Sequence, residues 1–147
     1  MSDPAEIPPL RHDELVYRRL SREYFDASQR VVKVLAFRPT KADSDGLSLS
    51  RQVAGAEGAA ASGREGKAFY VAVLRVSDII DQLGLHVIAD RADHALIPEL
   101  TFAARESKDQ AVRDRIIDAS DKLTSIIVEV VGPFPGRAQP PTPQSPV

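Results

Sequence analysis

Cysteine is absent from the 147 residues, which excludes disulfide staples, thiolate metal sites and cysteine nucleophiles. Small secreted domains often depend on disulfides, so the absence leans toward a reducing, cytoplasmic setting. Tryptophan is also missing and aromatics make up only 5% of the chain, so the core must rest on Val, Ile, Leu and Ala. No apolar run approaches the ~20 residues of a membrane-spanning helix. Met1 to Arg11 is acidic and proline-containing and does not read as a signal peptide; no membrane association is expected. A net charge of −2 leaves no basic excess for nucleic-acid binding. Proline is scarce where it would do harm: nine of the eleven fall outside residues 11 to 132. Because proline lacks an amide donor and fixes its own φ, it gathers where no ladder or helix continues.

That distribution predicts a disordered N-terminal arm over 1–10, a single domain over 11–132 and a disordered Pro-rich tail over 133–147. On this reading, deleting Pro133 to Val147 changes stability by less than about 1 kcal/mol. Leu15 to Leu20 and Val31 to Arg38 read as strands, the second β-branched and stopped by Pro39. Leu47 to Ser50 alternates as a half-buried strand would. Gln52 to Ser62 suits a loosely held helix, since several glycines interrupt its Ala-rich run. Ala68 to Val76 is nearly all apolar and predicts the central strand. Ser77 to Gly84 has helix caps; Leu85 to Ala89 then returns as a strand. His94 to Leu100 predicts an edge strand because Pro98 forfeits a ladder donor. From Ser107 to Leu123, Val112, Ile116, Ala119 and Leu123 form an apolar stripe opposite charged residues. The β-branched Ile126 to Val131 suits a last strand. The fold class is α+β: a mixed or antiparallel sheet of five to six strands with one long amphipathic helix on a face.

Arginine draws the eye next. On a strand through Arg38, that side chain shares a face with Val32, Val34 and Ala36, and a guanidinium there needs an anionic or carbonyl partner. Ser48 and Ser50 share a face of their strand, with Arg51 just behind. Arg18 and Arg19 point to opposite faces of theirs. Guanidinium forks and hydroxyls together suit phosphate or carboxylate, so Arg18, Arg19, Arg38, Ser48, Ser50, Arg51 and His94 are the anion-binding candidates. His86, Asp90, Asp93 and His94 are chemically adequate for a divalent cation, but their spacing matches no helical ligand pair, and no metal is expected. Ser48 or Ser50 with His94 and Asp93 supplies the residue types of a hydrolytic triad without the G-x-S-x-G elbow. No phosphate-loop or dinucleotide fingerprint occurs, and no cofactor is expected.

The segments Tyr17 to Arg19 (Y-R-R), Ala36 to Pro39 (A-F-R-P), Leu47 to Arg51 (L-S-x-x-R) and His94 to Ile97 (H-A-L-I) resemble motifs in a group of small uncharacterised bacterial proteins. That resemblance implies no activity. Taken together, these absences lean away from an enzyme. They favour a small soluble bacterial interaction module, an accessory, immunity-type or adaptor protein with a protein partner. The alternative is an enzyme or binder acting on a phosphorylated or nucleotide-like small molecule through the Arg/Ser cluster. Convergence of those side chains in one pocket would separate the two.

Overall fold

The computed structural model describes residues 7–139. Its strands in chain order are β1 (Leu15–Leu20), β2 (Phe25–Asp26), β3 (Val31–Val32), β4 (Leu47–Arg51), β5 (Ala68–Arg75), β6 (Ile88–Arg91), β7 (His94–Ile97) and β8 (Glu129–Pro135). Its helices are α1 (Gly55–Ala61), α2 (Val76–Leu83), α3 (Phe102–Arg105) and α4 (Gln110–Leu123). Six strands form one antiparallel sheet in the order β6-β7-β4-β1-β5-β8, and β2 with β3 makes a separate hairpin. This is the expected α+β class. Both sheet faces are covered. On one, Val16, Leu20, Leu49, Leu74 and Ile97 pack with Ile79 of α2 and Ile116 and Leu123 of α4. On the other, Tyr17, Phe69, Val71 and Val73 meet Ala59 and Ala60 of α1.

Several expectations shift once the faces are known. The apolar run of β5 marks cover on both faces and not a central position: β5 lies second from one edge, between β1 and β8. The expected strand Val31 to Arg38 shrinks to β3 and a 3-10 turn over Val34–Phe37. Ala36 and Phe37 are buried together while Val34 and Leu35 are exposed, and consecutive residues cannot share a face of an extended strand. Arg38 therefore shares no strand face with Val32, Val34 and Ala36. β7 is not an edge strand, because the chain hairpins through Ala92 and Asp93 and β6 pairs outside it; Pro98 falls just past the end of β7. The strand placed at Leu85 to Ala89 begins only at Ile88.

Gly84, at φ +67°, closes α2 by sending its N–H to the Ile80 carbonyl, a left-handed turn that a residue with a Cβ resists. In the long helix the N-cap is Asp109, whose carboxylate accepts from the Ala111 amide; Ser107 lies outside. Ile116, Ser120 and Leu123 are its buried residues.

Neither end behaves as expected where it is described. Pro133 and Pro135 belong to β8, tolerated because an edge strand need not donate on its outer side. Gly136, Arg137 and Ala138 then donate to the carbonyls of Lys67, Ala61 and Gly63. Gly136 lies so close to the Gly63 and Arg64 carbonyls that a Cβ has no room. The chain thus continues as packed structure through residue 138; the remainder of the expected tail, 140–147, lies outside the described residues. At the other end, the Pro8 and Pro9 carbonyls accept from Arg51, and residues 1–6 of the expected arm are outside the description. Among the described residues, no helix is long and apolar enough to cross a membrane.

Candidate functional site

The sheet opens in its middle. β1 and β4 pair only at Val16 with Arg51 and Tyr17 with Ser50. Beyond that point β1 stays with β5 as far as Leu20, and β4 stays with β7 as far as Leu47. The parting leaves a cleft of about 470 Å³, within the size range of small-molecule sites. Arg18, Arg19, Ser48, Ser50 and His94 all line it, joined by Tyr24, Asp43, Arg91 and Asp93.

Arg18 spans the gap. Its Nη1 donates to the Ser48 carbonyl on β4 at 3.0 Å and its Nε to the Ala36 carbonyl of the 3-10 turn at 3.3 Å. Burial pulls its pKa down and the Asp43 carboxylate, 3.6 Å away, opposes that shift. Among the described residues Nη2 has no hydrogen-bond partner, and no buried side-chain nitrogen or oxygen is left unpaired, so Nη2 keeps some exposure on a residue that lines the cleft. Asp43 is itself buried and collects the amides of Thr40 at 2.8 Å and Ser48 at 3.0 Å, together with the Thr40 hydroxyl. Burial pushes its carboxyl up, but Arg18 and those donors outweigh it and hold it below the usual range.

Arg19 points to the opposite face, as strand alternation requires. It donates to Ser62 Oγ at 2.6 Å and lies over the Phe69 ring at 5.3 Å from its centre, a cation–π contact that fixes the guanidinium at the rim. Desolvation and then the neighbouring Arg18 charge lower its pKa. On β4, Leu47, Leu49 and Arg51 are buried while Ser48 and Ser50 are half-buried, so the two hydroxyl residues share the α1 side with Arg19. His94, directly across from Ser50, has its Nδ1 2.7 Å from an Asp90 oxygen.

Two candidates are elsewhere. Arg38 forks onto Asp121 of α4 at 3.4 Å, and Arg51 is buried against Glu14 at 2.8 and 3.0 Å. Both tie distant segments together and neither lines the cleft. Of the four residues weighed as metal ligands, His94 and Asp90 stay together while His86 pairs with Glu99. The triad type set is rearranged too: the carboxylate on His94 is Asp90 and not Asp93. Tyr24, Asp43 and Arg91 were missed, and Asp90 was weighed only as a metal ligand. The Thr40-to-Gly46 loop advertised Asp43 only as a turn residue, and Arg91 converges through a hairpin that periodicity cannot locate.

No family model matches this chain, and no curated protein or solved structure matches it significantly.

Proposed function

We propose that the cleft between β1 and β4 binds a small anionic molecule, a phosphorylated or nucleotide-like ligand. One observation carries the reading: Arg18, Arg19 and Arg91 converge there with Ser48, Ser50 and His94, against only Asp43 and Asp93 as carboxylates in the lining. Guanidinium groups recognise phosphate and carboxylate in two-pronged fashion, and Arg18 Nη2 has no partner among the described residues. Asp43 is already committed to Thr40, Ser48 and Arg18, so its charge is largely answered within the protein.

The test is a melting series with phosphate, ADP-ribose and ATP on wild type and Arg19→Ala. A ligand at a hundredfold excess over its dissociation constant stabilises the folded state by about 2.7 kcal/mol. Arg19→Ala loses most of that shift while melting near wild type without ligand. A melting point indifferent to all three compounds overturns the proposal.

The interaction-module reading has its own support. Val31, Val34 and Leu35 expose apolar side chains in one short stretch, and such a patch suits a protein partner. A partner lost on Val34→Asp, with the ligand shifts intact, would assign the two surfaces separate roles.

A further inference from the structure

We propose that Ser50, His94 and Asp90 form a hydrolytic relay inside this cleft, with Ser50 as nucleophile, His94 as general base and Asp90 as the residue that positions His94. The substrate class is a carboxylic ester or thioester that carries an anionic group. That class rests on the anion-binding reading above; the relay itself rests on separate geometry.

The register supplies the first part. The Arg51 amide donates to the Asp93 carbonyl at 2.9 Å, which makes that a hydrogen-bonded position of the antiparallel β4–β7 pair. Hydrogen-bonded and non-hydrogen-bonded pairs alternate, so the adjacent pair, Ser50 with His94, is of the kind whose side chains stand closest, with Cβ atoms about 4.5–5.5 Å apart. Both residues line the cleft. The second part is the imidazole. An ionised carboxylate only accepts, so the 2.7 Å contact to Asp90 places the proton on Nδ1 and leaves the lone pair on Nε2. His94 is 19% exposed, enough to hold its orientation and still reach a substrate. Neither Nε2 of His94 nor Oγ of Ser50 has a hydrogen-bond partner among the described residues, and neither is buried without one. The third part is charge. Arg19 and Arg91 stand on the same cleft, where they hold the acid group of a substrate while its ester carbonyl lies over Ser50.

In the first half-reaction Ser50 Oγ bonds to the acyl carbon as its proton passes to His94 Nε2. The bond from that carbon to the leaving oxygen or sulfur then breaks, and the leaving group takes the proton from Nε2. Water repeats the sequence on the acyl-serine, giving up a proton to Nε2, and Ser50 recovers it as the acid departs. Atoms and protons balance with water as the sole co-reactant. Asp90 keeps the proton on Nδ1 throughout and answers the imidazolium charge.

An alkyl fluorophosphonate tests the relay without a known substrate. Full-length protein is incubated with about a hundredfold excess of reagent at neutral pH, and peptide mass mapping locates the adduct. A single adduct on Ser50 is expected, absent in Ser50→Ala and slowed about a hundredfold or more in His94→Gln. Asp90→Asn slows labelling by at least about tenfold without moving the melting point, and Asp90→Glu restores part of the rate, which a merely structural role would not produce. Ser125→Ala, outside the cleft, labels as wild type does. An unmodified Ser50 in the folded wild type, or equal rates in wild type and His94→Gln, overturns the relay. A melting shift with phosphate, ADP-ribose or ATP but no adduct refutes the relay and leaves the anion site standing; an adduct with no shift from any of the three supports the relay and refutes the anion reading.

Discussion

Arg51→Met removes the donor that holds the N-terminal segment to the sheet. In the folded protein Arg51 sends two hydrogen bonds into the Glu14 carboxylate and two more to the carbonyls of Pro8 and Pro9. Each partner of the ion pair has a side chain only 5% exposed. Methionine fills much of the same volume but donates nothing, so a buried carboxylate is left with the Arg11 amide as its remaining donor. Breaking a buried pair from one side costs about 3 to 5 kcal/mol, against a total stability of about 5 to 15 kcal/mol for a domain. At about 2 to 4 °C per kcal/mol for a chain of this size, the melting point falls by roughly 6 to 20 °C. Removing the second charge as well, in Arg51→Met with Glu14→Leu, recovers most of the loss, because a buried pair replaced by apolar groups is close to neutral. The Arg51 hydrogen bond, opposed by burial, holds the Glu14 carboxyl below its usual 4.5. The unfolded chain therefore binds that proton first as pH falls. The pair's contribution is full above about pH 5, declines as pH drops through 4.5 and is gone below the folded pKa; the gap between wild type and Arg51→Met narrows accordingly. Urea melts of the three proteins at pH 7 and pH 3 provide the measurement. A loss under about 1 kcal/mol at pH 7, or a double variant no better than the single one, refutes the reasoning.

Ile116→Ala opens a cavity between α4 and the sheet and is expected to cost about 2 to 5 kcal/mol, read by urea denaturation; less than half a kcal/mol would contradict the burial of that helix face. Arg38→Ala breaks a pair whose side chains are 23% and 34% exposed, so a double-mutant cycle with Asp121→Ala should give a coupling of only about 1 kcal/mol or less. Deleting residues 133–147 removes the end of β8 and the Gly136 to Ala138 hydrogen bonds; the expected loss is well above 1 kcal/mol, and a melting point equal to wild type would show that this segment stabilises nothing. Asp43→Asn removes the charge facing Arg18 and weakens the acceptor that secures Thr40 and Ser48, so stability falls by about 1 to 3 kcal/mol at neutral pH. Because Asp43 is held below its usual 3.8, that deficit shrinks as pH falls through 3.8, which thermal melts across pH 3 to 7 would register.

The period of the apolar residues was enough to place β1, β4, β5 and the long helix. Ile116, Ala119 and Leu123 fall on one face of any 3.6-residue helix, and the alternation in Leu47 to Arg51 commits Ser48 and Ser50 to one side wherever that strand goes. The seven anion candidates came from residue chemistry alone, and five of them share the cleft. What local pattern cannot encode is the partner. Arg38, Arg51 and Arg18 look equivalent in sequence, each an arginine in or beside a strand. Arg38 meets Asp121 across 83 positions of chain and Arg51 meets Glu14 across 37, while Arg18 lines the cleft beside Asp43. The same limit hid the proline-containing end of β8, since proline is excluded from a ladder only where a donor is needed, and an edge becomes an edge only when the strand order is set. Hydrophobic period fixes which way a side chain points relative to its own backbone; only the packing of strands and helices decides which charge it meets and which strands part to leave an opening.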